Sequence, residues 1–468
     1  MGHHRRRART GQRISAQDAA TLRVERRGVP MHVAALALLD AGPLLGPGGR
    51  LGLEVVREHV ERRTRDVPRL RQVLARPGRG RPVWLADPVF DVARHVHARP
   101  VPPPGDEEGL LRVCTAIHAV PLAQDRPLWE LWLLPGLEGG RTGLLIRWHH
   151  VLADGLAALT LLAPLFDPAA PGAPGAPPDG APPPGTAPPG TPPAGMSRPG
   201  AARSGAAAGG PPSVPAGARS RAARLLGRPA RLRAALAQGR APALSINRPV
   251  GPRRRSALVR ADLAAARKVA HRHGGTVNDV VLAAVAGGAR QLLAGRGELA
   301  GVTELVVSVA ASVRTPGDPA GGNRTGVRVV AVPVDEPDPV ARLRRIAATT
   351  AARRDLPPYR PGGRLAQHWM VRVMDRQRLV NVLLSNVRGP AAPLLFAGAP
   401  VRELFPVGAV QGNLALAVGV VSYAGALGLD VVADADVVPD LPVFVAGLTA
   451  ALEGLGAVAP PPGPAAEP

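Results

Sequence analysis

RWHHVLADG, running from Arg147 to Gly155, follows an apolar run, GLLI, and leads into a leucine-rich stretch of helical spacing, LAALTLLAPLF. Gly143–Trp148 reads as a buried strand. Asp154 stands just before the helical pattern, where an Asx side chain caps a helix N-terminus. His149 and His150 therefore fall where a strand leaves its sheet and turns toward a helix, a place where a rigid scaffold holds side chains at a crevice. A metal site is disfavoured. Adjacent residues at a strand end point to opposite faces, and neither a cysteine cluster nor an H-E-x-x-H pattern accompanies the pair. Two readings stay open: an inert hydrogen-bonded pair, or a general base, since neutral imidazole with a pKa of about 6.5 accepts a proton at neutral pH. No G-x-S-x-G elbow and no Walker loop supplies a competing site.

Outward from this stretch, 468 residues exceed one small core and predict two domains. The single cysteine, Cys114, rules out an intramolecular disulfide and fits a reducing compartment. The formal charge of +23 is carried almost wholly by arginine, Lys268 being the only lysine, and with abundant Ala, Gly and Pro it reads as compositional bias. Aromatic content of 3% argues against a nucleic-acid partner, which would need stacking platforms. The basic start, MGHHRRRARTGQR, is not followed by an apolar segment, so it is no secretory signal, and His3 and His4 belong to a solvated tail. The longest uncharged run, between Glu403 and Asp430, contains two buried strands with a tight turn at Tyr423–Gly425, so no transmembrane helix is expected. These features predict a cytoplasmic protein.

Met31–Asp40 and Gly143–His150 read as strands, Leu51–Val67 and Leu110–Leu122 as helices. Further on, helices are expected at Asp262–His271 and Val277–Leu293. Strands are expected at Leu305–Val309, Val327–Val334, Val380–Leu384, Leu414–Ser422 and Leu427–Ala433. The fold class is α/β, with mixed sheets covered by helices. Residues 1–166 form an N-terminal domain carrying HHVLADG and 244–458 a C-terminal domain. Between them, 167–243 is a Pro/Gly/Ala-rich disordered linker that ends in a basic helical segment, Arg219–Arg240; that segment is either a solvated connector or an interfacial helix drawn to anionic lipid. Residues 459–468 are a frayed tail.

HHVLADG matches HHxxxDG, the signature of the CoA-dependent acyltransferase superfamily. Several further segments resemble its bacterial wax ester synthase/diacylglycerol acyltransferase branch: Ile14–Asp40, DRPLWE (Asp125–Glu130), LSINRPVGPRRR (Leu244–Arg255), TVNDVVLA (Thr276–Ala283), SNVRGP (Ser385–Pro390), and LFAGAPVRELFPVGAV with SYAGAL and VPD. Two positions depart from the family pattern: leucine follows the DG, and Arg388 stands where proline is common.

The resemblance implies two chloramphenicol-acetyltransferase-like domains with the active-site channel between them. It implies His150 as general base, taking the proton of an acceptor hydroxyl as that oxygen attacks an acyl-CoA thioester. His149 would support the loop, Asp154 would be structural, and Gly155 would permit a tight turn. Asn278 is either a helix cap or interdomain link, or an oxyanion donor, with Ser385 and Asn386 as alternatives. Pro127, Leu128 and Trp129 would pack or shape the substrate channel rather than react, and Ser385 and Asn386 would also line it. Acyl-CoA would be a co-substrate, with no bound cofactor and no metal. The partners would be diacylglycerol or a fatty alcohol, together with peripheral contact at an anionic membrane or lipid-droplet surface. A condensation-type enzyme forming an amide and a catalytically inactive lipid-surface-binding paralogue are the competing readings.

Overall fold

In the computed structural model the described residues are 11–25, 31–76, 81–169, 240–312, 325–356, 358 and 374–458. Residues 1–10 of the basic start, residues 170–239 of the linker with all but the last residue of its basic helical segment, and the 459–468 tail lie outside them. The N-terminal half contains β1 (Gln12–Arg13), α1 (Ala16–Glu25), β2 (His32–Asp40), α2 (Leu53–Thr64), β3 (Gln72–Ala75), β4 (Val83–Ala86), β5 (Val96–Ala98), α3 (Glu107–Ala119), β6 (Trp129–Leu137), β7 (Arg141–His149), α4 (Gly155–Leu162) and β8 (Asp167–Pro168). The C-terminal half contains β9 (Arg254–Asp262), α5 (Leu263–Arg272), α6 (Val277–Gly295), β10 (Glu304–Ser312), β11 (Thr325–Pro333), α7 (Pro339–Ala351), β12 (Val382–Arg388), β13 (Leu394–Phe396), β14 (Ala399–Val407), β15 (Leu416–Tyr423), β16 (Ala426–Asp434) and α8 (Leu441–Gly454).

β7 is buried from Thr142 to His149 because β6 and β2 pair with it on either side, both antiparallel, and core residues cover it. These strands are the centre of a seven-stranded sheet in the order β5-β6-β7-β2-β14-β13-β8. A six-stranded sheet, β11-β10-β12-β15-β16-β9, belongs to the other half, with parallel pairs at β10/β12 and β12/β15. Both sheets are mixed, as the sequence predicts. α6 and α8 bury their apolar faces against the second sheet in one large core. The expected turn joins β15 to β16, with Ala424 at φ 45° and Gly425 at φ 89°. No helix of the described residues is long and apolar enough to cross a membrane.

Among the described residues nine strands are absent from the sequence reading, and two of them, β6 and β14, flank β7 and β2 in the N-terminal sheet. β6 carries Pro135 and Gly136, and β14 carries Pro400 and Pro406 among charged residues, a pattern that speaks against a strand. β14 also corrects the domain division. It comes from the C-terminal half but pairs with β2 of the N-terminal half, Phe405 opposite Leu36, so a cut between 166 and 244 does not separate two self-contained sheets. Its backbone crosses β15 and β16 at glycines. A Cβ on Gly419 would stand 2.9 Å from the Pro406 carbonyl oxygen, and one on Gly428 would overlap the Leu404 carbonyl. Arg260 of β9 clamps the crossing: its Nε and Nη2 donate to the two carboxylate oxygens of Glu403 at 2.5 and 3.0 Å, and Nη2 also reaches Glu107 of α3 at 2.6 Å.

Asp430 of β16 is sealed beneath this crossing. It is 0% exposed, and neither carboxylate oxygen has a partner with hydrogen-bond geometry. Burial pushes its pKa up from 3.8 to about 8, against weak help from Ser256 and the Gly408 amide. The folded state thus holds a proton that the unfolded chain releases near 3.8. The associated stability is present below that pH and is lost as pH rises toward 8, at up to about 1.4 kcal/mol per pH unit. Thermal unfolding of Asp430→Asn should therefore show a flatter pH dependence than wild type between about pH 4 and 8. Parallel curves for the two proteins would contradict this protonation state.

Candidate active site

The HHVLADG loop is fixed by bonds from residues on both sides. The His149 amide donates to the Leu128 carbonyl at 3.0 Å, and the His150 amide to the Met31 carbonyl at 2.9 Å, so the residues just before β6 and β2 pin the end of β7. The Trp148 indole N–H donates to the Ala153 carbonyl at 3.1 Å, and the Leu152 amide to the His149 carbonyl at 2.8 Å. Asp154 caps α4, its Oδ1 accepting the Ala157 amide at 2.8 Å. That places Asp154 as structural support of the helix start.

His149 is 1% exposed and its two ring nitrogens have different tasks. Nδ1 accepts the Val151 amide proton at 3.0 Å. The ring proton must therefore sit on Nε2, which donates to Glu25 Oε2 at 3.1 Å. His149 is a structural element of the turn. His150, next along the chain, is half-buried. Burial and the neighbouring His149 hold its pKa below the ordinary 6.5, while the Asp154 charge acts weakly the other way. It is thereby kept neutral, the form that accepts a proton.

Gly155 does not take the left-handed conformation that the expected tight turn would use. It is the first residue of α4 and is absent from the positive-φ glycines, but a Cβ there would stand 3.2 Å from Val387 Cγ2. Val387 lies in the SNVRGP segment on β12, so the motif loop of one half packs against the other half. One residue before Val387, Asn386 donates from Nδ2 to Asn278 Oδ1 at 3.4 Å, at the start of α6. Asn278 is not the cap of that helix. Thr276 and Asp279 form a reciprocal capping box, and Asp279 Oδ1 also accepts the Thr350 hydroxyl at 2.8 Å. Asn278 serves Asn386 as an acceptor, a bond that does not use its own amide N–H donors. Ser385, Asn386 and Asn278 are all half-buried. Four segments predicted separately, HHVLADG, PLW, ND and SNVRGP, are thus joined through direct contacts.

The PLW segment is anchored in the core. Its three residues are buried; Leu128 and Trp129 belong to the N-terminal core, and the Trp129 indole donates to the Leu70 carbonyl at 2.7 Å while its ring stacks on His95 at 4.6 Å. Their observed service to the site is the Leu128 carbonyl that holds His149.

Sequence reasoning missed the polar floor beneath the strand end. His32 lies opposite His149 in the β2/β7 register, and its Nε2 donates to the His118 carbonyl at 2.5 Å. Burial lowers the His32 pKa to about 4, so it too is neutral. Arg147 forms a buried pair with Glu130, Nη2 to Oε2 at 2.6 Å, and donates to the Ile117 and Val120 carbonyls at 2.6 and 2.5 Å. That bonding satisfies a guanidinium that would otherwise be prohibitive in a core. The one signal for it was an arginine inside the apolar run GLLIRWHH. Among the described residues no group of three His, Cys, Asp or Glu could hold a metal ion.

Residues 14–281 match the family model described as the wax ester synthase/diacylglycerol acyltransferase catalytic domain, and residues 321–456 match the WS/DGAT C-terminal domain. A Mycobacterium tuberculosis protein named "Probable diacyglycerol O-acyltransferase" is 30% identical over 467 residues, covering 95% of this chain and 96% of its own. Among solved structures, the wax ester synthase/diacylglycerol acyltransferase from Marinobacter aquaeolei VT8 is similar with a TM-score of 0.66 at 23% identity, covering 95% of this chain and 98% of that one. The starter condensation domain of rhizomide synthetase, in complex with C8-CoA and Leu-SNAC, is similar with a TM-score of 0.59 at 13% identity, covering 96% and 95%.

A reaction using His150 as proton acceptor should stay active below pH 6.5, because its pKa is depressed from that value. The acid limb of kcat/KM should have its midpoint below 6.5; a midpoint above it would assign the proton to another group.

Proposed function

The chain belongs to the wax ester synthase/diacylglycerol acyltransferase family, and from that premise we propose that His150 is the general base of acyl transfer from long-chain acyl-CoA to an alcohol. It is an acyl-CoA-dependent O-acyltransferase, with diacylglycerol as the proposed acceptor and a long-chain fatty alcohol as the second. The observation that carries the reading is the tautomer-locked turn at His149. It presents a neutral, half-buried His150 at the strand end, in a loop packed against the strand bearing Asn386.

The chemistry follows from those residues. An alcohol with a pKa of about 16 is not ionised by imidazole, so its proton passes to His150 as the oxygen attacks the thioester carbon. The carbon–sulfur bond then breaks, and the CoA thiolate, whose conjugate thiol has a pKa of about 8.5, leaves and takes up the proton from the imidazolium. The negative charge on the tetrahedral oxygen needs a donor, for which Asn278 is the first candidate and the Ser385–Asn386 pair the second. Direct transfer requires no acyl-enzyme. The acceptors reside in lipid, and the arginine excess suits peripheral contact with an anionic lipid surface.

The test is CoA release from palmitoyl-CoA with diacylglycerol or with hexadecanol. Steady release should require the alcohol, and rapid mixing without it should give no burst of CoA. A burst equal to the enzyme concentration would mean a covalent intermediate, and release with neither alcohol would overturn the proposed acceptors.

A further inference from the structure

We propose that Glu25 is a positioning residue for His150, acting through the ring of His149; the idea rests on His150 being the base. α1 is built to deliver this carboxylate. Ser15 and Asp18 form a capping box at its start, the Ser15 hydroxyl donating to Asp18 Oδ2 at 2.7 Å and accepting the Asp18 amide at 3.0 Å. Glu25 ends the same helix. Its Oε2 takes the His149 Nε2 proton at 3.1 Å and a Gln124 side-chain N–H at 3.0 Å. Burial alone would raise the Glu25 pKa, but the hydrogen bond from His149, with a further backbone bond at Met31, keeps the carboxyl below its ordinary value.

A neutral imidazole has one N–H and one acceptor nitrogen. The turn needs the acceptor at Nδ1, because the Val151 amide points there. A carboxylate at Nε2 selects that tautomer. Without it, the alternative tautomer would set the Nδ1 proton against the Val151 proton, opening the turn that carries His150. The carboxylate makes no contact with the reacting atoms; its effect is on where the base stands.

Two variants and two measurements test this. Glu25→Ala should lower kcat about 10–10²-fold with KM for palmitoyl-CoA little changed, the scale of a base displaced by about 1 Å. Glu25→Gln, whose carbonyl oxygen still accepts the Nε2 proton, should recover most of the loss. Independently, ring-15N histidine NMR, with the His149 signals identified by their disappearance in His149→Gln, should show the Nε2–H tautomer in wild type and in Glu25→Gln. It should show loss of that single tautomer in Glu25→Ala, where that protein folds. Wild-type kcat in Glu25→Ala, no recovery in a folded Glu25→Gln, or the Nδ1–H tautomer in wild type would each overturn the proposal. A wild-type enzyme that releases no CoA with either alcohol would instead overturn the acyl-transfer reading, and the tautomer measurement would still decide the role of Glu25.

Discussion

The backbone crossing of β14 over Gly419 and Gly428 is the constraint on which the arrangement depends. A strand from the C-terminal half completes the N-terminal sheet beside β2, and Met31, the residue just before β2, supplies the carbonyl that holds the His150 amide. The crossing brings polypeptide backbones closer than any side chain allows, so the two glycines are needed for packing rather than for a special dihedral angle. Phe405 is buried there with Leu36, Leu258 and Cys114, and Arg260 ties three elements together around it. With the sheets joined in this way, Gly155 can rest on Val387, and the motif loop meets the strand that bears Asn386.

The chemistry of the strand end is decided by burial more than by charge pairing. For His150 the loss of solvation is the largest influence and Asp154 only a partial counterweight. Asp154 gives its Oδ1 to the Ala157 amide at the start of α4. The carboxylate with an orienting task is Glu25, and it reaches the other histidine. The two adjacent imidazoles thus differ: His149 is bonded at both nitrogens and shapes the turn, while His150 is held neutral by burial.

Much of this was legible in the sequence where local patterns are strong. Met31–Asp40 and Gly143–His150 announce β2 and β7 through continuous apolar character, and Asp154 before LAALTLL announces its cap. The His150 assignment came from resemblance rather than from the nine residues, which left an inert pair open. What was not legible is long-range. β14 looks like a loop because Pro400, Pro406 and Glu403 interrupt it, and its partner strand lies more than three hundred residues away in the chain. Glu25 looks like one more charged residue beside Arg23, Arg26 and Arg27, separated from His149 by 124 positions. Asn278 reads as a cap because Thr276, Asn278 and Asp279 all suit that task, and only the geometry shows which of them perform it.

The central claim is that one side chain, His150, moves the proton. The direct test is kcat/KM of His150→Ala, measured beside its thermal unfolding to establish that the variant is folded. The account expects a fall of roughly 10²–10⁴-fold with a melting temperature near that of wild type. A folded His150→Ala that retains kcat/KM within about threefold of wild type would contradict it.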